Sequence, residues 1–93
     1  MENQHRKIAG YRELLQAEID LMNRIKLHGE ATKALIADVD EHLHLQDLAA
    51  ARDLMEAERI QEAQPKRWLN IAKTDFQSGY MALVRAVAQP TTF

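Results

Sequence analysis

The stretch from Met22 to Leu43 reads MNRIKLHGEATKALIADVDEHL and decides the fold of this chain. Seven residues of this stretch recur at alternating steps of three and four, which is the spacing of a heptad repeat on one helical face. We call this row of residues the heptad seam. The helical pattern starts near Gln16, and about 30 residues of helix make a rod ~45 Å long. A compact globule of 93 residues needs no such rod, so the pattern predicts a hairpin of long helices. The seam residues are Met22, Ile25, Gly29, Thr32, Ile36, Val39 and Leu43.

A second long helix is predicted over Pro65–Ala88, before the helix-ending Gln89-Pro90. Proline is favoured in a first helical turn because its missing N–H would be unpaired there anyway. The apolar residues of this helix cover well over half of its circumference, and a two-helix hairpin cannot bury them all. We therefore expect a homo-oligomer with this helix at its centre. These residues are Trp68, Leu69, Ile71, Phe76, Tyr80, Met81, Leu83, Val84 and Val87.

The whole chain, residues 1–93, is expected to form a single all-α domain, because β-branched residues neither cluster nor alternate with polar ones. Residues 1–15 are predicted as a short N-terminal arm and turn, residues 16–64 as one long helix or two, and residues 65–88 as the C-terminal helix. A bend or short loop is most readily placed at His42–Asp47. The alternative is one continuous helix, because no glycine or proline occurs between Gly29 and Pro65.

Composition excludes several classes of function. The chain has no cysteine, so disulfides, thiolate metal sites and cysteine nucleophiles are ruled out. Its net charge of −2 argues against a DNA-coating protein. The sequence lacks both the ~20 consecutive apolar residues of a membrane span and an apolar run after its first residues of the kind that marks a secretory signal. We expect a soluble, intracellular protein.

Basic character is confined to the two ends of the chain. Residues 1–33 carry six Lys and Arg against five acids, residues 34–64 two against eight, and residues 65–93 four against one. Such a distribution suits a small anionic ligand better than a long polyanion.

The first candidate site surrounds Tyr11, which is the one aromatic residue before Trp68. A tyrosine ring gives a base a flat face, and stacking of this kind contributes ~1–3 kcal/mol per base. Lysine supplies a point charge for phosphate, and arginine a planar fork. From the residues alone, a tyrosine packed over a helix beside solvated cations is the simpler interpretation. The cluster comprises Gly10, Tyr11, Arg12, Asn23, Arg24 and Lys26.

Two other constellations are weaker. Asp38 and His42 lie four apart and could share a metal on a helix face, but His44 points to the other side, so a solvated acidic face is the better interpretation. Ser78-Gly79 lacks the strand-turn-helix context of a nucleophile elbow. No Gly-rich phosphate loop occurs either. We expect no enzyme activity, no cofactor and no metal.

The predicted last helix carries a polar face beside Trp68, formed by Arg67, Asn70 and Thr74 at steps of three and four. Symmetry would repeat this face around an axis of an oligomer and concentrate its charge. Lining an interface is the simpler interpretation, and a second anion site is the alternative.

Two glycines occur inside the predicted helices. A glycine there costs about 1 kcal/mol relative to alanine, so each needs a reason. Close approach of a second helix is the simpler one for Gly29, with close approach of a ligand as the alternative. Tight helix contact is the expectation for Gly79.

Both ends of the chain resemble one family. Residues 8–14 (IAGYREL), 18–19 (EI) and 22–26 (MNRIK), followed by Gly29, resemble the start of the phage anti-CBASS cyclic-nucleotide sponges. Residues 67–86 (RWLNIAKTDFQSGYMALVRA) resemble the C-terminal helix of the same family. The Thoeris anti-defence sponges share a related helical hairpin. The matches stand in the right order and cover roughly half of the chain, which makes them far more specific together than either is separately.

The resemblance implies a non-enzymatic protein of the infected host's cytoplasm. It implies compact hexamers that sequester cyclic dinucleotides, such as cyclic GMP-AMP, between the paired N-terminal helices of two protomers. Tyr11 would then stack on a base and Lys26 contact the phosphates, with Gly10, Arg12 and Asn23 beside them. Some members also hold cyclic trinucleotides near a three-fold axis. The candidates for that second site are Arg67, Asn70 and Thr74.

The chain departs from the family pattern in two places. Leu15-Gln16 stands where a Thr-type helix cap is typical, and the acidic segment of about residues 40–64 is longer than in short members. A rival hypothesis is a helical scaffold or adaptor that binds a protein partner through its apolar last helix. A metal-dependent enzyme using Asp38 and His42 is a third and weaker one.

Overall fold

The computed structural model of the protein describes residues 12–92. They form three α-helices: α1 (Gln16–Ala50), α2 (Leu54–Ala63) and α3 (Pro65–Ala88). Helix α3 lies antiparallel to α1, because contacts join Arg12 to Val87 near one end and Asp40 to Lys66 towards the other. The hairpin is a rod with extents of 67 × 23 × 17 Å. The predicted all-α hairpin is confirmed, and residues 12–92 contain no strand.

The heptad seam of α1 faces α3, as its spacing predicts. Of the seven seam residues, five are half-buried and Leu43 is buried, whereas Val39 is 38% exposed. The less exposed residues on the facing side of α3 recur at steps of three and four, except for a step of eight in which the intervening Phe76 is more exposed. They include Leu69, Ala72, Tyr80, Val84 and Val87.

Tyr80 fixes the two long helices against each other at mid-length. Its hydroxyl lies 2.6 Å from both Nδ1 of His28 and Oγ1 of Thr32, two side chains one turn apart on α1. The ring itself covers Gly29, and its Cγ would lie 3.9 Å from a Cβ added there. One side chain thus supplies both apolar contact and directional hydrogen bonds, and hydrogen bonds fix register more sharply than apolar contact does.

The two glycines differ. Helix α3 does approach Gly29 closely, although a Cβ there would make ordinary van der Waals contact. At Gly79 the expectation was wrong within the single chain, since nothing in the described residues lies within 4 Å of an added Cβ. Helix α3 turns this position away from α1, so the hairpin itself gives no reason for the residue.

The break between α1 and α2 was predicted at the wrong place. Helix α1 continues through His42–Asp47 and ends at Ala50. The chain turns instead at residues 51–53, where the Asp53 carboxylate accepts a hydrogen bond from the N–H of Glu56 at 3.2 Å. An aspartate at the residue preceding a helix stabilises the helix start, and this signal outweighs the weaker irregularity at the histidines. A single residue, Gln64, then joins α2 to α3 in the left-handed conformation, with φ at 52°.

The hairpin has almost no interior. Within residues 12–92, just Leu43 and Ala50 are buried. Large apolar side chains stay exposed along the whole rod, and an exposed apolar surface of this extent is typical of protein interfaces. They are Leu15, Ile19, Leu21, Leu27, Leu35, Val39, Leu45, Leu48, Leu54, Met55, Trp68, Phe76, Met81 and Leu83.

Tyr80→Phe should lower the free energy of unfolding by about 1 kcal/mol, because it removes the hydroxyl that joins His28 and Thr32 while keeping the ring. Urea denaturation followed by circular dichroism, at one fixed protein concentration, measures the change. Ser78→Ala, on an exposed position of the same helix, is the matched control and should shift the curve far less. Equal curves for wild type and Tyr80→Phe would contradict the assigned role.

Candidate functional site

The start of α1 is held by a side chain that reaches back along the chain. Leu15 occupies the position before the helix, and its side chain makes no capping hydrogen bond. The Glu18 carboxylate takes over by accepting a hydrogen bond from the N–H of Leu15 at 2.7 Å. A negative charge in the first turn also interacts favourably with the positive end of the helix dipole. Helix α1 therefore begins at Gln16 without a capping hydroxyl.

Arg12 forms a forked ion pair with the same carboxylate. Its Nη1 donates to Oε1 of Glu18 at 3.1 Å, and its Nη2 contacts Oε2. Arg12, and then the N–H of Leu15, lower the pKa of Glu18 below its usual range. The pair also raises the pKa of Arg12. Both groups are therefore charged at neutral pH.

The Arg12 fork also reaches the other end of the chain. Its Nη2 donates to the backbone oxygen of Val87 at 2.9 Å. Val87 lies in the last turn of α3, where carbonyl groups have no partner inside the helix. A cation at a helix C-terminus is stabilising as well. Arg12 thus joins the segment before α1 to the ends of both long helices.

A groove of about 890 Å³ opens at this end of the hairpin. Helix α1 contributes one wall, which includes the Lys26 side chain, and α3 with the following residues contributes the other. Most of the lining is apolar, with a few polar groups at fixed places, which is the usual make-up of a small-molecule site. The lining residues are Met22, Ile25, Lys26, Gly29, Glu30, Gln77, Tyr80, Met81, Ala82, Val84, Arg85, Ala88 and Pro90.

Arg85 shares this groove with Lys26, which the sequence analysis did not foresee. Its Nη2 donates to the backbone oxygen of Thr92 at 2.9 Å, so the chain after α3 folds back towards it. In the sequence, Arg85 is one of the four basic residues of 65–93 and lies in the segment 67–86 that carries the family resemblance. Two cations from opposite walls, with Glu30 as the acidic residue of the lining, give the groove a positive balance.

The other residues predicted for the first site are distributed as follows. Gly10 and Tyr11 lie outside the described residues. Asn23 is exposed on α1, one turn before Lys26, and is not part of the groove lining. Arg12 lies at the same end of the rod, held by Glu18 and Val87. The structure therefore places Lys26 in a cavity and gives Arg12 partners of its own.

The residues predicted for a second site do share one concavity. Arg67, Asn70 and Thr74 line a groove of about 610 Å³ on the outer side of α3, together with Ile71 and Asp75. The guanidinium carbon of Arg67 lies 5.1 Å from the centre of the Trp68 ring. The Asp75 carboxylate opposes the binding of an anion there, so this groove is the less basic of the two.

Asp38 and His42 lie exposed on α1. Across residues 12–92, no three His, Asp or Glu side chains are grouped so that they could hold a metal ion. In the same range, no helix combines the length and apolar character that crossing a bilayer requires.

Comparison with known proteins identifies relatives for nearly the whole chain. The model of the Acb2/Tad1 hairpin domain matches residues 4–88. Anti-CBASS protein 2 of Pseudomonas phage JBD67 is 50% identical over 106 aligned residues, which cover 97% of each chain. The resemblance observed in the sequence is thereby confirmed.

The Glu18 ion pair should make stability depend on pH in one direction. A carboxylate whose native pKa is lowered stabilises the fold fully above its unfolded pKa of about 4.3, and this contribution is lost as the pH falls through the lower native pKa. At pH 7, Glu18→Gln should melt below wild type, and the difference should shrink steadily as the pH falls below about 4.3. Thermal melts across a pH series measure it.

Glu41→Gln is the matched control, because Glu41 is exposed on α1 and has no ion-pair partner within residues 12–92. A melting difference for Glu18→Gln that stayed constant down to pH 2 would contradict the ion pair.

Proposed function

The chain belongs to the family of the Acb2/Tad1 hairpin domain, and on this premise we propose that it is a phage anti-defence protein that sequesters cyclic dinucleotides. It acts in the cytoplasm of the infected host and binds the immune signals of the CBASS system, such as cyclic GMP-AMP, without cleaving them. The relative from phage JBD67 is named an anti-CBASS protein, and it is 50% identical over 97% of each chain. Both facts support the anti-CBASS role.

The single observation that carries the ligand class is the groove around Lys26. It joins apolar walls, which suit bases, to Lys26 and Arg85, which suit phosphates. Bases stack on flat apolar surfaces while their phosphates need fixed cations. In this proposal Tyr11 supplies the stacking ring, and Lys26 contacts the phosphate ring. Gly10, Arg12 and Asn23 complete the surroundings.

A second protomer completes the site. The groove is open on one side of the hairpin, and exposed apolar residues surround it, including Met81, which is 72% exposed. Pairing two copies around a two-fold axis would cover these residues and bring Tyr11 and Lys26 from each chain to one ligand. Three such pairs make the homohexamer that the family resemblance implies. Sequestration then needs only tight binding and abundance, because it works by lowering the concentration of free signal.

A cyclic trinucleotide is the proposed ligand of the second groove. Arg67, Asn70 and Thr74 share that concavity on the outer side of α3. A three-fold axis that passes closer to Arg67 than to Asp75 would bring three guanidinium groups together on one ligand. The site depends on the oligomer more strongly than the Lys26 groove does.

The adaptor hypothesis stays as a second candidate because of the exposed apolar side of α3. Trp68 is 58% exposed and Met81 72%, and a different protein could cover them as well as a second copy would. This hypothesis predicts a stable complex with a host protein in which Lys26 and Tyr11 are dispensable.

Lys26→Ala and Tyr11→Ala should each weaken cyclic GMP-AMP binding by at least tenfold in titration calorimetry. A hydrogen bond to a charged group contributes about 1.5–3 kcal/mol, and about 1.4 kcal/mol already corresponds to tenfold. Arg24→Ala is the matched control, since it removes the same charge from α1; Arg24 belongs to the basic cluster of the sequence, but it does not line the Lys26 groove. Arg24 lies two residues from Lys26 and so points to the opposite side of the helix.

Wild-type affinity in both Lys26→Ala and Tyr11→Ala would overturn the site, and so would equal losses in all three variants. Heat denaturation of the complex should release the nucleotide chemically intact, as chromatography can establish. Recovery of a linear product would show cleavage and refute sequestration.

A further inference from the structure

We infer that Arg85 is a second phosphate-binding residue of the Lys26 groove, and that the turn after α3 holds its guanidinium in place for the ligand. The inference rests on the proposed function and deepens it, because it adds a contact to the same site and names what supports that contact. Within residues 12–92, Arg85 has no acidic partner, and its side chain is tied to the turn by a hydrogen bond.

The groove holds two cations without an acidic partner. Lys26 and Arg85 line it from opposite walls, and Glu30 is the acidic residue of the lining. In the described part of the chain, none of the three forms an ion pair. Arg12 differs, because the Glu18 carboxylate neutralises its charge. Two cations that share one groove repel each other, and an anion bound between them offsets this repulsion.

The guanidinium of Arg85 keeps most of its donors for a ligand. Arginine has five N–H groups, and Nη2 donates one of them to the backbone oxygen of Thr92 at 2.9 Å. This is the one hydrogen bond of the side chain among the described residues. Its acceptor is neutral, so the positive charge stays uncompensated. Arg85 is also exposed, and it can still offer a planar pair of N–H groups to phosphate oxygens, which is the arrangement that arginine favours with phosphate.

The turn after α3 holds Arg85 at both its backbone and its side chain. Helix α3 ends at Ala88, and Gln89 follows in the left-handed conformation with φ at 52°. The N–H of Gln89 donates to the backbone oxygen of Arg85 at 2.8 Å. The chain then places Pro90 in the groove lining, and Thr92 reaches the guanidinium. A side chain held in this way loses less conformational freedom when a ligand binds.

Arg85→Ala should weaken cyclic GMP-AMP binding by about tenfold in titration calorimetry, because a hydrogen bond to a charged group is lost. Salt screens contacts between exposed charges, so the loss should shrink as the salt concentration rises. Lys73→Ala is the matched control, since it removes the same charge from an exposed position of α3 outside the groove lining. It should bind as wild type does. Circular dichroism verifies that each variant is folded.

Two substitutions at Gln89 test the turn without changing any charge. Valine is β-branched and disfavours the left-handed conformation, whereas glycine adopts it readily. Gln89→Val should therefore weaken binding severalfold, and Gln89→Gly should weaken it clearly less. In an Arg85→Ala background, the difference between Gln89→Val and Gln89→Gly should disappear, since no guanidinium remains to be held.

The contact and the turn can fail separately. Wild-type affinity in Arg85→Ala, beside a loss in Lys26→Ala, overturns the Arg85 contact and leaves the proposed function standing. An Arg85→Ala loss of equal size at low and high salt overturns the contact too, because a loss of packing does not respond to screening. Equal affinities of Gln89→Val and Gln89→Gly, or an unchanged difference between them in the Arg85→Ala background, overturn the role of the turn. If wild type gives no heat, the proposed function fails and the inference fails with it.

Discussion

The hydrogen bonds of the Tyr80 hydroxyl set the relation between the two long helices. The apolar seam allows α3 to slide or rotate along α1 at little cost, because contact between apolar groups is not directional. A hydroxyl at 2.6 Å from both His28 and Thr32 permits one register. That register places Arg85 across the groove from Lys26 and brings Val87 within reach of Arg12. The placement of Lys26 and Arg85 across the groove therefore depends on the hydrogen bonds of Tyr80.

A second constraint comes from the shape of the hairpin. A rod only 17 Å deep with two buried residues in its described part cannot remove its apolar side chains from water. Burial of apolar surface is the main source of stability in small domains, so a second copy would supply what one chain lacks. Folding and the proposed ligand binding would then both require a second copy of the chain. The surface left exposed by the hairpin is also the surface at which two Lys26 grooves would face each other.

Most of the fold follows from periodicity. The seam of Met22–Leu43 predicted the face of α1 that meets α3, because burial repeats with the helical period. The break before α2 was misplaced, since one capping aspartate at Asp53 decides it and a capping contact spans too few residues to leave a period. The hairpin gives no reason for Gly79, because periodicity tells which face a residue occupies but not why its side chain is small.

The candidate site was less accessible from sequence. Tyr11 and Lys26 were predicted from their neighbouring residues and from the family resemblance, whereas nothing distinguished Arg85 from the other basic residues of 65–93. The hydrogen bond from Arg12 to Val87 could not have been predicted from the sequence. Val87 contributes its backbone oxygen, which every residue type has. Spacing reveals residues that share a helix face. It does not reveal a side chain before one helix that meets the end of another.

Native mass spectrometry of the protein with cyclic GMP-AMP would show whether two chains share one ligand. We expect a homo-oligomer with an even number of chains that takes up one intact nucleotide for every pair of chains. A monomer that binds one nucleotide by itself, or an oligomer that retains none at saturating ligand, would contradict the proposal that two copies of this hairpin enclose the signal between them.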